Sequence, residues 1–336
     1  MSEQIIPRKK FHINNISLLI TSLLFIGLFT AGSIAYDKFL SLNTFFNLIN
    51  DGSYLIIASI GITFVLLTGG IDISISSTIA FTCVFSAFLL RAGVPASVVI
   101  PLVLIIGIVF GALMGFLIQT YELQPFIVTL AGQFFMRGMC AVISTDSIPI
   151  SDGFYTKMAL TKISFAGAKI YMYVFIAAAV FVAAMYILKF TQFGRTVYAV
   201  GGNEQSASLM GLPAGRTKIL VYTISSFCAA LAGVVFSFYT LAGYSLQNVG
   251  LEMDAISSAV IGGTLLTGGV GTVVGTTVGV MIQSVIGTIV TYQNLNTWWT
   301  KVFSAALLCL FIVIQRMLAG RSEKVKTVPV RMKKAV

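Results

Sequence analysis

The chain has few residues with which to do chemistry. One histidine, His12, and four cysteines are spread through 336 residues, too few to gather a Cys/His set around a metal. Cys83, Cys140, Cys228 and Cys309 all stand in apolar stretches without paired spacing, which reads as small core side chains rather than disulfides or ligands. No Gly-x-x-x-x-Gly-Lys-Ser/Thr string occurs, so the chain cradles no nucleotide in a P-loop. No nucleophile stands beside a base, which sets a membrane-embedded enzyme far behind a transporter. Charge is scarce too. Asp, Glu, Lys and Arg make up 10% of the residues, against about one quarter in an average soluble domain.

What fills the chain instead is apolar. Hydrophobic residues reach 57%, and residues 16–36, 96–121, 170–188, 219–243 and 255–300 carry no charge. A membrane span needs ~20 mostly apolar residues. In lipid such segments must satisfy their own backbone groups, so they are helices; the runs are continuous rather than alternating, which excludes a β-barrel. The pattern predicts an all-α polytopic membrane protein with about ten transmembrane helices, at roughly 16–36, 52–69, 73–91, 96–121, 125–145, 170–188, 219–243, 254–267, 272–291 and 297–316. The eighth is short enough to end as a half-helix. Residues 1–15 and 317–336 flank this domain as polar segments.

The net charge is +10. In a soluble protein that would suggest nucleic acid; here the basic residues follow the positive-inside rule. With Arg8, Lys9 and Lys10 inside, both termini and the loop 189–218 are cytoplasmic. Fourteen of the 21 Lys and Arg residues then lie inside, six outside and Arg137 within a span. The basic tail lies near anionic lipid. The apolar run after Lys10 exceeds the 7–15 residues of a signal-peptide core, so Ser33-Ile34-Ala35 is read as part of an uncleaved first span.

Two glycine ladders, Gly107/Gly111/Gly115 and Gly271/Gly275/Gly279, allow close helix approach, within this chain or against a second subunit. The string Leu-Leu-Thr-Gly-Gly occurs at 66–70 and again at 265–269. Each copy is read as ending one helix and opening another, and Gly-rich interruptions of this kind point to a transport path. The stretch 146–169 is read as the longest outer loop, large enough to touch a periplasmic partner.

Ionisable groups within spans are expected to be functional. Asp72, Arg137, Glu122, Glu252 and Asp254 are the candidates. The last three stand near span ends and are read as interfacial, and Arg137 as paired inside the bundle or snorkelling rather than touching substrate. Asp72 is read equally as a wall or hinge of a path and as a cap of the third span. In the loop 189–218, Asn203 is a good N-cap, Glu204 suits a helix start, and Gly211 with Pro213 marks a stop. That predicts a two-turn helix over 204–210, with Ala207 and Met210 forming a small apolar face suited to a partner's groove.

Three motifs carry a resemblance that extends over nearly the whole chain. Gly69-Gly70-Ile71-Asp72-Ile73-Ser74 resembles the Gly-Gly-Ile-Asp-Leu-Ser of the ribose-type sugar ABC permeases, although Ile75-Ser76 replaces their following Val-Gly. Phe193-Gly194-Arg195 with Gly202-Asn203-Glu204-Gln205-Ser206-Ala207 and Gly211 is similar to their cytoplasmic coupling segment. Leu251-Glu252-Met253-Asp254-Ala255-Ile256, Val260-Ile261-Gly262-Gly263-Thr264 and Gly268-Gly269 resemble their late signature. Within that family, Ser147-Ile148-Pro149-Ile150 and Trp298-Trp299-Thr300-Lys301 are similar to the galactofuranose permeases. The resemblance implies an inner-membrane permease without cofactor of its own. A separate ABC ATPase would bind ATP and Mg, a periplasmic protein would capture the sugar, and a second permease, identical or related, would complete the path; no nucleic acid is involved. ATPase coupling would fall to Arg195, Gly202, Asn203, Glu204, Ala207, Met210 and Gly211, and the path to Thr68, Gly69, Gly70, Asp72, Ser74, Gly262, Gly263 and Thr264. The alternative reading is an ion-coupled secondary transporter with Asp72 as the coupling group.

Overall fold

The computed structural model describes residues 13–36, 39–165, 167–296 and 298–324. Arg8, Lys9, Lys10, His12 and the tail beyond 324 lie outside them. In chain order the elements are α1 (Ile13–Ala35), α2 (Leu42–Leu67), α3 (Ile75–Arg91), α4 (Ala96–Thr120), α5 (Pro125–Ile143), β1 (Ile148–Pro149), α6 (Gly153–Leu160), β2 (Lys162–Phe165), β3 (Ala168–Tyr171), α7 (Tyr173–Phe190), α8 (Gln192–Gly202), α9 (Glu204–Leu209), α10 (Ala214–Thr240), β4 (Ala242–Gly243), α11 (Leu251–Ile261), α12 (Val273–Tyr292) and α13 (Trp298–Lys324).

Seven of these, α1, α2, α4, α5, α7, α10 and α12, are long and apolar enough to cross a membrane. That is fewer than the ten expected. The other three apolar segments are helical but shorter. α3 has 17 residues, the apolar part of α13 runs from Trp298 to Val313, and α11 has 11 residues. At ~1.5 Å per residue, α11 rises only about half of a ~30 Å hydrocarbon layer.

α2 is the buried centre. α10 packs across α2, α3 and α4, and α12 packs on α1, α2 and α11. The first glycine ladder explains the α4–α10 crossing within this chain: a Cβ at Gly107 would stand 2.6 Å from that of Ala230, and one at Gly111 2.5 Å from the Tyr222 carbonyl. The second ladder is not one helical stripe. Gly271 precedes α12, while Gly275 and Gly279 seat that helix on α11 at the carbonyls of Gly262 and Ser258.

The stretch 146–169 is not a simple loop. Its β1 pairs antiparallel with β4, α6 is capped by Asp152, and β2 and β3 form a hairpin. Ile148, Ile150 and Tyr155 are buried, so this segment closes one end of the bundle. Asn50 ties the hairpin to α2, donating to the Lys169 carbonyl and accepting from the Tyr171 N–H.

Three further placements differ from or sharpen the expectations. Cys83, Cys140 and Cys228 are buried, but Cys309 is exposed on α13. Glu252, in the first turn of α11, is buried, and Asp254 is paired with Lys301. The partners of Arg137 are main-chain groups: its Nη1 donates to the carbonyls of Ser245 at 2.7 Å and Gln247 at 2.8 Å.

Candidate functional site

At the end of the bundle opposite the hairpin, α7 and α10 are joined by two short helices. Thr191 caps α8 by accepting from the Gly194 N–H. One extended residue, Asn203, ends α8 and starts α9, its side chain accepting from the Ser206 N–H at 2.7 Å. α9 stops at Leu209, one residue before the expected end. Gly211 takes φ +79°, with Gly211 N–H bonded to the Ser208 carbonyl and Leu212 N–H to that of Ala207. This is a Schellman stop, a conformation that suits glycine.

The expected apolar face is divided between two sides. Ala207 is fully buried with Val200 and Ala214, fixing α9 to α8 and α10. Leu209 and Met210 turn outward at 86% and 71% exposure. Glu204 pairs with Lys218 at 2.5 Å, and Arg195 and Gly202 are exposed. The surface offered by α9 therefore carries Glu204, Leu209 and Met210, while Ala207 holds it from behind.

The unit is bolted to both Leu-Leu-Thr-Gly-Gly copies. The first straddles the end of α2; the second lies in the connection between α11 and α12 rather than at a helix end. They meet directly, Gly269 N–H donating to the Leu67 carbonyl at 2.9 Å. Gly201 of α8 closes over that bond. A Cβ there would lie 1.7 Å from the Leu67 oxygen and 2.5 Å from the Gly269 nitrogen, a space only glycine fits. Tyr198 adds a hydrogen bond from its hydroxyl to the Gly271 carbonyl at 2.9 Å.

Beyond this joint, residues 68–74 connect α2 to α3 without helix. Asp72 is fully buried there. Its Oδ1 accepts from the Ser74 N–H at 3.0 Å and the Ser74 hydroxyl at 2.6 Å, and its Oδ2 from the Ser225 hydroxyl of α10 at 2.7 Å. A buried carboxylate is tolerated when donors satisfy it in this way. Asp72 thus satisfies the start of α3 and clamps the connection to α10. Gly262, Gly263 and Thr264 are likewise buried, Gly262 against Gly275 and Thr264 against Gly271 where α11 leads into α12.

Of the residues expected on a path, Gly70, Asp72, Ser74, Gly262, Gly263 and Thr264 are buried, Thr68 is half-buried and Gly69 exposed. None of them lines the large cavity between α2 and α12. Of these, Gly69 abuts the joint, at Gly268; Asp72 and Ser74 are tied to α10 through Ser225, and Gly262 and Thr264 lie in the α11–α12 packing. Gly201 and Tyr198 complete that joint and were not singled out by sequence; the clue to Gly201 is the Gly201-Gly202 pair ending a run that is otherwise helical.

A family model described as the permease component of branched-chain amino acid transport systems matches residues 44–312. The inner membrane ABC transporter permease protein YjfF of Escherichia coli K12 is 44% identical over 94% of this chain and 96% of its own length. The fructose import permease protein FruG of Bifidobacterium longum is 36% identical over 95% and 97% of the two chains. The ribose import permease protein RbsC of Haemophilus influenzae is 32% identical over 86% and 90%. No solved structure matches the chain. The matches run nearly end to end and include the segments that build the joint, so the chain belongs to the ribose-type ABC transporter permeases, membrane subunits that are not themselves enzymes.

Proposed function

We propose that this chain is the membrane-spanning subunit of an ATP-driven importer of a monosaccharide, galactofuranose, located in the bacterial inner membrane. The observation that carries the reading is α9: a helix capped at both ends, exposing Leu209 and Met210, with its neighbour α8 locked onto both glycine-rich connections. A short helix of this kind suits a groove in a partner, here an ABC ATPase that binds ATP and Mg. Movement of α9 would reach α2, α11 and α12 through Gly201 and Tyr198. The end carrying α9 is then cytoplasmic, as are both termini, and the end closed by the hairpin faces a periplasmic sugar-binding protein. A second permease, a copy or a relative, completes the assembly. The sugar class follows the fructose and ribose permeases to which the chain is similar. The choice of galactofuranose follows the resemblance at Ser147-Ile148-Pro149-Ile150 and Trp298-Trp299-Thr300-Lys301.

Purification of the tagged chain in mild detergent, followed by mass spectrometry of what accompanies it, tests this. A stoichiometric ABC ATPase is expected. Recovery of the chain alone, from cells shown to express the neighbouring ATPase, would return weight to a gradient-driven carrier.

A further inference from the structure

A cavity of about 550 Å³ lies between α2 and α12, within the ~300–1,000 Å³ typical of small-molecule sites. It runs from Thr44 at the start of α2 and Tyr292 at the end of α12 to Gln283, midway along α12. The opposite ends of these two helices are the ones joined to α8. The cavity therefore belongs to the half of the molecule remote from α9.

Its lining has the chemistry of a polyol site. Tyr54, Tyr239 and Tyr292 contribute rings, a surface suited to the C–H face of a sugar. Asn47, Asp51 and Gln283 add acceptors and donors among them. Asp51 is exposed to the cavity, shares a hydrogen bond with Tyr239, and has no cationic partner among the described residues. The other carboxylate of the lining, Asp254, is neutralised by Lys301. Among the described residues Asp51 is thus the carboxylate of the lining without a salt bridge, and its negative charge attracts hydroxyl donors and repels anions. Gln283 is 6% exposed, its Oε1 held by the Ser304 hydroxyl and its Nε2 without a partner. A buried donor left open is costly, and a ligand oxygen would satisfy it.

We propose that this cavity is a sugar-selecting site of the permease itself. It takes a neutral monosaccharide against the three tyrosines, with Asp51 and Gln283 holding its hydroxyls, and it excludes acidic sugars. This rests on the importer reading and deepens it: selection would not be left wholly to the capture protein.

The test is saturation-transfer NMR on the full chain in lipid nanodiscs, with D-galactose, D-fructose, D-ribose and D-galacturonate as probes. Transfer to at least one neutral sugar and none to D-galacturonate is expected. Gln283→Leu should weaken the neutral-sugar signal at least fivefold. Asp51→Asn should admit D-galacturonate, and Asp51→Glu should exclude it again, a rescue that mere misfolding cannot produce. Ile105→Ala, on the exposed side of α4, should match the wild type. Equal binding of D-galacturonate by the wild type, or indifference to both Asp51→Asn and Gln283→Leu, would overturn the proposal. Uptake of the same sugars by cells carrying the whole importer separates the two readings. Uptake without any transfer signal removes the cavity proposal alone; no uptake and no signal removes the importer reading with it.

Discussion

Ser225 of α10 donates its hydroxyl to Asp72 Oδ2 at 2.7 Å, joining the connection between α2 and α3 to the helix that packs across both. A hydrogen bond contributes about 0.5–1.5 kcal/mol net, and a buried partner left open costs about 1–3 kcal/mol; Asp72 accepts three. Asp72→Ala should therefore destabilise the chain by several kcal/mol and lower its yield in the membrane. Asp72→Asn keeps one acceptor and the volume, so it should lower the melting temperature in detergent while retaining ATP-driven uptake. Uptake that disappears in Asp72→Asn at unchanged stability, and that collapses with the proton gradient in the wild type, would instead make Asp72 a coupling group.

Gly201 and Gly202 make a paired test of the joint. Alanine at 201 would press on the Leu67 oxygen and the Gly269 nitrogen, both main-chain atoms with little room to move. At 202 a Cβ meets nothing within 4 Å. Gly201→Ala should separate α8 from the Leu67–Gly269 contact and cut sugar uptake at least tenfold, with ATP hydrolysis by the reconstituted complex continuing without transport. Gly202→Ala should behave as the wild type in both assays. Equal effects from the two substitutions would show that the close approach at Gly201 transmits nothing.

Arg137 holds the connection between α10 and α11 through two carbonyls. Arg137→Ala leaves both acceptors open in a half-buried setting, where each unsatisfied group costs about 1–3 kcal/mol. A fall in melting temperature larger than that of Arg137→Lys is expected, since an ammonium can still reach one carbonyl. Equal melting temperatures for the two variants would mean that water replaces the guanidinium.

How much of this was legible in sequence depended on how local the cause was. The caps at Asn203 and Gly211 act within one turn, so α9 was readable almost to the residue. α8 was not, because Gly194, Gly201 and Gly202 each cost about 1 kcal/mol of helix propensity, and two of the reasons for them lie outside the helix: Gly194 rests on the carbonyls of Ile187 and Leu188, and Gly201 on Leu67 and Gly269. Asp72 could be read either as a cap or as a wall of a path; the serine of α10 that decides its setting is 153 residues away. Ala207 and Met210 stand one turn apart, yet the chain turns sharply at Gly211, which sends Met210 outward while Ala207 stays beneath α8. The cavity left no motif at all. Asp51 and Gln283 come together only because α12 packs on α2.

Leu209 and Met210 permit the sharpest separation of folding from partnership. Both are exposed large apolar side chains at the end of α9, while Ala207 and the Schellman turn hold the helix in place without them. Replacing either with aspartate removes no internal contact of consequence, and surface changes of this kind usually alter stability by less than about 0.5 kcal/mol. Such a change in a protein–protein interface core costs far more, because it buries an unpaired charge. Leu209→Asp and Met210→Asp should therefore leave the melting temperature of the isolated chain unchanged and abolish co-purification of the ATPase. Gly211→Ala should act oppositely in kind, costing about 1 kcal/mol by straining a left-handed residue while weakening co-purification only as far as α9 frays. An ATPase that stays bound to both aspartate variants would place its docking surface elsewhere on the α8–α9 unit, and Arg195 and Glu204 would be the next residues to change.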